Sequence, residues 1–254
     1  MTDELQYRVQ DGIGYITFNR PQARNALTFA MYEELARIAS DPAGARALVL
    51  AGAGDKAFAA GTDIGQFRAF SGADDAIAYE TRLDRVLGVL ERCKVPTIAA
   101  IAGACTGGGA GIAAACDLRI AAANARFGFP IARTLGNCLS MANVARLAAL
   151  IGPARVTEMI FTARLLDAEE ARAAGLVGEV LPDTAALAER AGALGKLVAS
   201  HAPLTLRATK EALRRLRDHL PPDEDLIRLC YASADFREGM EAFLNKRVPV
   251  WQGR

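Results

Sequence analysis

Apolar positions along the first fifty residues follow a strand period, then a helix period. LQYRV (residues 5–9) and IGYITF (13–18) are apolar-rich and flank Asp11-Gly12. Two such runs joined by Asp-Gly predict a hairpin. Pro21 in NRPQARNAL breaks the second strand. Thr28 is suited to cap a helix from about Phe29 to Ser40, which SDPAG ends. RALVLAG (46–52) and VPTIAAIAG (95–103) are short continuous apolar runs, the pattern of strands buried on both faces. Between them, GAGDKAFAAGTDIGQF (52–67) reads as a loop with glycine at 52, 54, 61 and 65, followed by a long amphipathic helix from about Asp74 to Cys93. DLRIAA and ARFGFP read as two further strands. From Leu139 onward helical spacing dominates, apart from VGEVL at 177–181. Strands thus alternate with helices in the first half and helices take over in the second, which is an α/β arrangement with a helical tail. A break at His201-Ala202-Pro203 divides the chain into a core over 1–200 and a helical C-terminal region over 201–254.

Composition narrows the class of protein. A hydrophobic fraction of 52% over 254 residues is enough for a large core. Lys+Arg 30 against Asp+Glu 29 leaves a net charge of +1. A nucleic-acid partner would call for a clustered basic excess, whereas two or three local cations suffice for a small anion. The five cysteines, Cys93, Cys105, Cys116, Cys138 and Cys230, include no CxxC pair. Neither a disulfide framework nor a zinc site is expected, and no other metal is called for. The N-terminus lacks a basic-then-apolar leader pattern. Charges interrupt every apolar run before the roughly 18 residues a membrane span needs. The expectation is a soluble, cytoplasmic protein with no membrane or nucleic-acid partner.

Candidate chemistry centres on glycine. Gly107, Gly108 and Gly109 stand in a row in CTGGGAGIAAACDLRI (105–120), at a cost in backbone entropy. GxGxxG fails because Ile112 stands where its third glycine belongs, and GxxxxGK fails because Gly109 takes the lysine position. GxSxG is absent. The two histidines, His201 and His219, cannot form HExxH. Two strand–loop–helix junctions remain, AFAAGTDI and ACTGGGAG. Helix N-termini carry unpaired N–H groups and a positive dipole end. Two such junctions on neighbouring strands can aim two N–H groups at one oxygen, the geometry of an oxyanion hole. The alternative is that these glycines serve turns alone.

AFAAGTDI followed by IAGACTGGGAGIAAACDLRIA resembles the signature of the enoyl-CoA hydratase/isomerase (crotonase) family. NRPQARNALT, ARFGFP, LLDAEEARAAGLVGEVLP, APLTLRATKEAL and EGMEAFLNKRVPVWQG extend the likeness in order over nearly the whole chain. The resemblance implies an α/β fold, a crotonase (ClpP-like) spiral of ββα units with a C-terminal helical trimerisation region, assembled as a homotrimer or homohexamer. It implies an acyl-CoA thioester as ligand, with coenzyme A as part of the substrate and no separate cofactor. By position in the motifs, the backbone N–H groups of Thr62 and Gly108 would hold the thioester oxygen of an enolate. Arg24 would lie near the CoA phosphates. Ala26, Ala60, Gly61, Asp63, Ile64 and Gly107 would line the thioester and CoA path, with Lys246 and Arg247 adding charge. Asp63 after Gly-Thr is also suited to cap a helix.

The chain departs from the family pattern at two places. Hydratases of the family carry one glutamate three residues after the oxyanion glycine and another after the proline of FGxP. Here those positions are Gly111 and Ile131. Losing a positioned acid or base typically forfeits about 10²–10⁴-fold in rate, so two-glutamate hydration is not expected. The loop after Ile131 supplies Arg133, Thr134, Asn137, Cys138 and Ser140. Arg133 is the candidate to hold a substrate carboxylate or orient water. Asp74, Asp75 and Glu80 are candidate acids on the long helix. Isomerisation, decarboxylation, thioester hydrolysis and non-catalytic CoA binding all stay open.

Overall fold

The computed structural model describes residues 3–217, 224, 228 and 231–250, with ten strands in two sheets. Cys230 and His219 lie outside the described residues. Strands β1 (Leu5–Gln10) and β2 (Ile13–Phe18) form the expected hairpin. Asp11 and Gly12 both take positive φ, 54° and 75°, as a two-residue turn matched to strand twist requires. β2 continues in parallel to β3 (Ala47–Gly52), β5 (Thr97–Ile101), β7 (Leu118–Ala122) and β10 (Glu179–Leu181), giving a six-stranded sheet ordered β1-β2-β3-β5-β7-β10.

Alternation within these strands supplies two cores. Leu48, Leu50, Ala99 and Ile101 face the larger one, shared with α1 (Phe29–Ser40), α2 (Ala73–Glu91) and α3 (Gly108–Ala115). Ala47, Val49, Ile98 and Ala100 face a smaller one. It is sealed by Leu187 and Ala191 of α8 (Thr184–Ser200). Burial on both faces explains why these strands read as continuous apolar runs.

Of the second sheet, β4-β6-β8-β9, only the strand in ARFGFP is expected from the sequence. This sheet consists of β4 (Ala57–Ala59), β6 (Ala104–Thr106), β8 (Arg126–Gly128) and β9 (Leu166–Asp167). Residues 52–67 are therefore not a plain loop: β4 and a 3-10 helix (Ile64–Ala69) lie in or begin within them. Each glycine junction follows a short strand of this second sheet, and β4 and β6 are parallel neighbours. The segment after Ile131 likewise opens with one helical turn, α4 (Ile131–Thr134).

A 3-10 helix at Pro21–Ala23 and helices α5 (Met141–Ile151), α6 (Pro153–Phe161), α7 (Ala168–Ala173), α9 (Pro203–Arg215) and α10 (Ala234–Leu244) are the other named elements among the described residues. α10 packs back against the core. A Cβ on Gly239 would come within 2.4 Å of the Leu135 carbonyl oxygen, so glycine permits this approach. Phe236 of α10 lies 6.4 Å from Phe67 and 4.7 Å from Tyr231, ring centre to ring centre. No helix among the described residues is long and apolar enough to cross a membrane.

Candidate active site

Two turns at the ends of β4 and β6 are brought side by side. The first is stitched to residues 24–27. Ala60 N–H donates to Arg24 O (3.1 Å), Leu27 N–H to Gly61 O (2.8 Å) and Asp63 N–H to Leu27 O (2.9 Å). Asn25, fully buried, locks the stitch by donating from Nδ2 to Ala53 O (3.0 Å) and Ala57 O (2.7 Å), while its Oδ1 accepts from Arg20 N–H (3.0 Å). Asn25 was not singled out in the sequence. In the second turn Gly107, at φ 52°, donates its N–H to Gly128 O and accepts from Gly111 N–H. Among the described residues the amide N–H groups of Thr62 and Gly108 donate to no protein acceptor. A Cβ placed on Gly61 would lie 4.0 Å from Gly108 N, so the two turns touch.

The three consecutive glycines have separate reasons. Gly107 has the positive φ just noted. A Cβ on Gly108 would sit 1.9 Å from the Tyr32 hydroxyl, and one on Gly109 2.2 Å from Ala59 O. Close packing of α3 on α1 and β4 therefore demands glycine, in addition to any room a ligand needs.

A cavity of about 580 Å³ opens against these turns. It is lined by Arg24, Ala26, Ala60, Gly61, Thr62, Asp63, Ile64, Gly107, Gly108, Gly111 and Ile131. Those expected residues are thus assembled in one place. Arg133 is not among them: it is exposed on α4 and lies outside the lining, while Thr134 and Asn137 are inside it. Lys246 and Arg247 are also outside, and Arg247 pairs with Glu238, although Phe243 and Leu244 of α10 do line the cavity. Asp74 is paired with Arg228, and Asp75 accepts from Ser71. Asp63 caps the 3-10 helix through Gly65 N–H (3.0 Å) and pairs with Arg20 (2.9 Å). Ser140 caps α5, and Cys138 is half-buried.

Glu80 is the acid whose setting differs from a solvated helix face. It is 3% exposed and lines the cavity. The Tyr231 hydroxyl donates to Glu80 Oε1, and Asn137 Nδ2 donates to the Tyr231 oxygen (3.2 Å). Next to Glu80, the Tyr79 hydroxyl is 2.8 Å from Thr62 Oγ1, which is also 2.8 Å from the Tyr32 hydroxyl. Burial, reinforced by the Glu80 carboxyl, holds the phenols of Tyr32, Tyr79 and Tyr231 above their ordinary range. All three therefore stay protonated at neutral pH.

Tyr32, Tyr79, Tyr231 and Asn143 were not anticipated, and for Glu80 a signal existed. Ala76, Glu80, Leu83 and Leu87 are spaced four, three and four apart, which places Glu80 on the apolar face of α2. Beside Gly111, Asn143 Oδ1 accepts from Arg146 (2.8 Å), whose guanidinium also grips Glu91 through both carboxylate oxygens. Burial pushes the Glu91 carboxyl up. Hydrogen bonds and charge from Arg146 and Arg217 outweigh this and leave it below its ordinary value.

A two-sheet α/β spiral with a cavity at paired glycine turns defines a crotonase-fold protein. The chain belongs to the enoyl-CoA hydratase/isomerase family, whose sequence profile matches residues 8–254. It is similar to a crotonyl-CoA hydratase of Syntrophomonas wolfei, with 34% identity over 94% of each chain. Among solved structures it resembles an enoyl-CoA hydratase/carnithine racemase from Magnetospirillum magneticum (36% identity, 100% and 97% of the two chains, TM-score 0.79). It also resembles a methylmalonyl-CoA decarboxylase in complex with 2-nitronate-propionyl-CoA (28% identity, 99% of each chain, TM-score 0.89).

Proposed function

We propose that this acyl-CoA enzyme polarises a thioester carbonyl between the N–H groups of Thr62 and Gly108 and stabilises the enolate that follows. The observation that carries this reading is the pair of uncommitted amide donors on adjoining turns at one cavity wall. One such donor is worth roughly 2.7–4 kcal/mol in the transition state. Arg24 and the backbone from Ala60 to Ile64 would follow the CoA moiety, with Ala26, Gly107 and Asp63 along the same wall. Asp63 is a cap and ion-pair residue here and does no proton transfer. Gly111 and Ile131 both line the cavity and bring no carboxyl group to it, which supports chemistry other than two-glutamate hydration. The C-terminal region from 201 onward mediates self-association into a trimer or hexamer. Support for that comes from the exposed Leu204, Leu213 and Leu216 of α9 and the turn after it.

Crotonyl-CoA tests the reading. The vibrational frequency of its thioester carbonyl should fall on binding while hydration stays negligible beside a two-glutamate hydratase. An unshifted carbonyl in the bound ester would defeat the oxyanion assignment. Rapid hydration by the wild type would defeat the exclusion of hydratase chemistry.

A second reading is decarboxylation, favoured by the shape match to the methylmalonyl-CoA decarboxylase. Arg133 does not serve it from its exposed position, so a substrate carboxylate would have to be met by Thr134 and Asn137. Release of carbon dioxide from methylmalonyl-CoA is the direct assay.

A further inference from the structure

Each proposed donor is aimed by the carbonyl of its own peptide plane, because a trans peptide sets its N–H opposite its C=O. Gly61 O accepts from Leu27 N–H (2.8 Å), so the Thr62 N–H points away from residues 24–27. Gly107 O accepts from Gly111 N–H (2.9 Å), so the Gly108 N–H points out of the start of α3. These two bonds aim the donors but do not join one turn to the other. Tyr32 touches both turns. Its hydroxyl lies 2.8 Å from Thr62 Oγ1. A Cβ on Gly108 would fall 1.9 Å from that same hydroxyl and 3.1 Å from Thr62 Oγ1. Thr62 Oγ1 is also 2.8 Å from the Tyr79 hydroxyl. A threonine hydroxyl has one proton and two lone pairs, so it can bond both phenols at once.

We propose that Tyr32 is a positioning residue of the oxyanion pair, acting through Thr62 Oγ1 and against Gly108, with Tyr79 as the second hold on Thr62. This rests on the oxyanion reading given above. Tyr32 is buried on α1 and lies outside the cavity lining, so it acts through its neighbours and not on substrate. Threonine is stiff about its Cα–Cβ bond, so fixing Oγ1 fixes the backbone that carries the donor. The second hold is itself rigid: the Tyr79 ring packs edge-on to Phe67 at 4.9 Å and near Phe29 at 5.9 Å, centre to centre. The three hydroxyls thus tie α1 and α2 to the spacing of the two donors. Accuracy there matters, since a misplacement of about 1 Å can cost about 10²-fold in rate.

The test reads the carbonyl frequency of crotonyl-CoA, isotope-labelled at that carbon and bound at saturation to the full-length protein, by infrared difference spectroscopy. Calorimetry establishes saturation, and urea unfolding gives stability. Wild type should show a downshift. Tyr32→Phe keeps the ring and removes the hydroxyl. It should lose about half of the downshift, as expected when one of two donors is set off line. Thr62→Val keeps the branched shape, breaks the same link from its other end and should lose a similar share. Tyr7→Phe is the control. It gives up a hydrogen bond to Pro42 O (2.7 Å) away from the cavity lining, and should lower the urea midpoint with the downshift intact. A full downshift in either Tyr32→Phe or Thr62→Val overturns the positioning role and leaves the oxyanion reading standing. So does an equal loss in Tyr7→Phe, because any softening of the fold would then suffice. A wild type that binds the ester with an unshifted carbonyl, or does not bind it, removes both.

Discussion

Gly108→Ala is the substitution whose cost the structure lets one work out. The new methyl would start 1.9 Å from the Tyr32 hydroxyl and 3.1 Å from Thr62 Oγ1. Tyr32 is 2% exposed and cannot swing into solvent. Accommodating the methyl means overpacking, at about 1–3 kcal/mol. Displacing the buried Tyr32 hydroxyl from Thr62 adds about 1–3 kcal/mol for the unsatisfied group. A loss of about 2–6 kcal/mol is a large part of the roughly 5–15 kcal/mol typical of a folded domain. Tyr32→Phe alone should cost only about 0.5–1.5 kcal/mol, because Thr62 Oγ1 keeps its bond to Tyr79. In the double variant the nearest ring atom is Cζ at 3.2 Å, which a shift of a few tenths of an ångström relieves. The pair should therefore be more stable than the sum of the singles by at least about 1 kcal/mol. Urea unfolding followed by far-UV circular dichroism at fixed protein concentration measures this, through the midpoint at constant slope. Additivity within about 0.5 kcal/mol would refute the claim that Tyr32 is what forces glycine at 108.

Other outcomes follow from the same packing. Glu91→Gln leaves Arg146 buried against a neutral partner and should cost about 3–5 kcal/mol at neutral pH. Because the folded carboxyl lies below its ordinary value, the wild-type advantage is full above the unfolded pKa of about 4.3 and shrinks as pH falls through the lower folded value. Parallel acid-unfolding curves for the two proteins would contradict this. Burial raises the thiols of Cys93 and Cys105 and pushes that of Cys116 up to about 12. Peptide mapping after brief alkylation at pH 8 should find these three unmodified in the native protein and modified in urea. Asp167 and Glu170 form a reciprocal cap on α7, so Asp167→Ala should lower stability by about 0.5–2 kcal/mol, read as a fall in Tm by calorimetry.

The parts of this molecule that were legible in its sequence are those written in a long enough local pattern. β3 and β5 are five or six residues of unbroken apolar character, and α1 announces itself by Thr28 and a helical period. Of the second sheet only β8, inside ARFGFP, was readable as a strand; the others were hidden because strands of two or three residues carry no period. Yet it is this sheet that sets the two glycine turns side by side. The glycine turns themselves were readable as a pair, since each carries its own short signature. The phenols facing them were not, because Tyr32, Tyr79 and Tyr231 are joined only by the fold. Arg133 shows the converse error: a cation next to the right segment says nothing about which side of a single helical turn it occupies.

Gly111 links these two kinds of information. The resemblance in sequence puts one of the expected family glutamates at this position. In the structure a Cβ there would meet Leu87 Cδ1 at 3.3 Å and Asn143 Oδ1 at 3.5 Å. Asn143 is held in turn by Arg146 and Ser140, and Arg146 by Glu91. The side-chain space beside position 111 is thus hemmed in by a residue anchored through a buried ion pair. The β-carbon itself stands at ordinary contact from Asn143, so the strain on that network arises where the longer glutamate side chain presses on Asn143. Gly111→Glu alone should therefore destabilise the protein and fail to install hydration, whereas Gly111→Glu with Asn143→Ala should recover stability relative to Gly111→Glu. Crotonyl-CoA hydration by Gly111→Glu at unchanged stability would mean that the site had kept room for the acid all along.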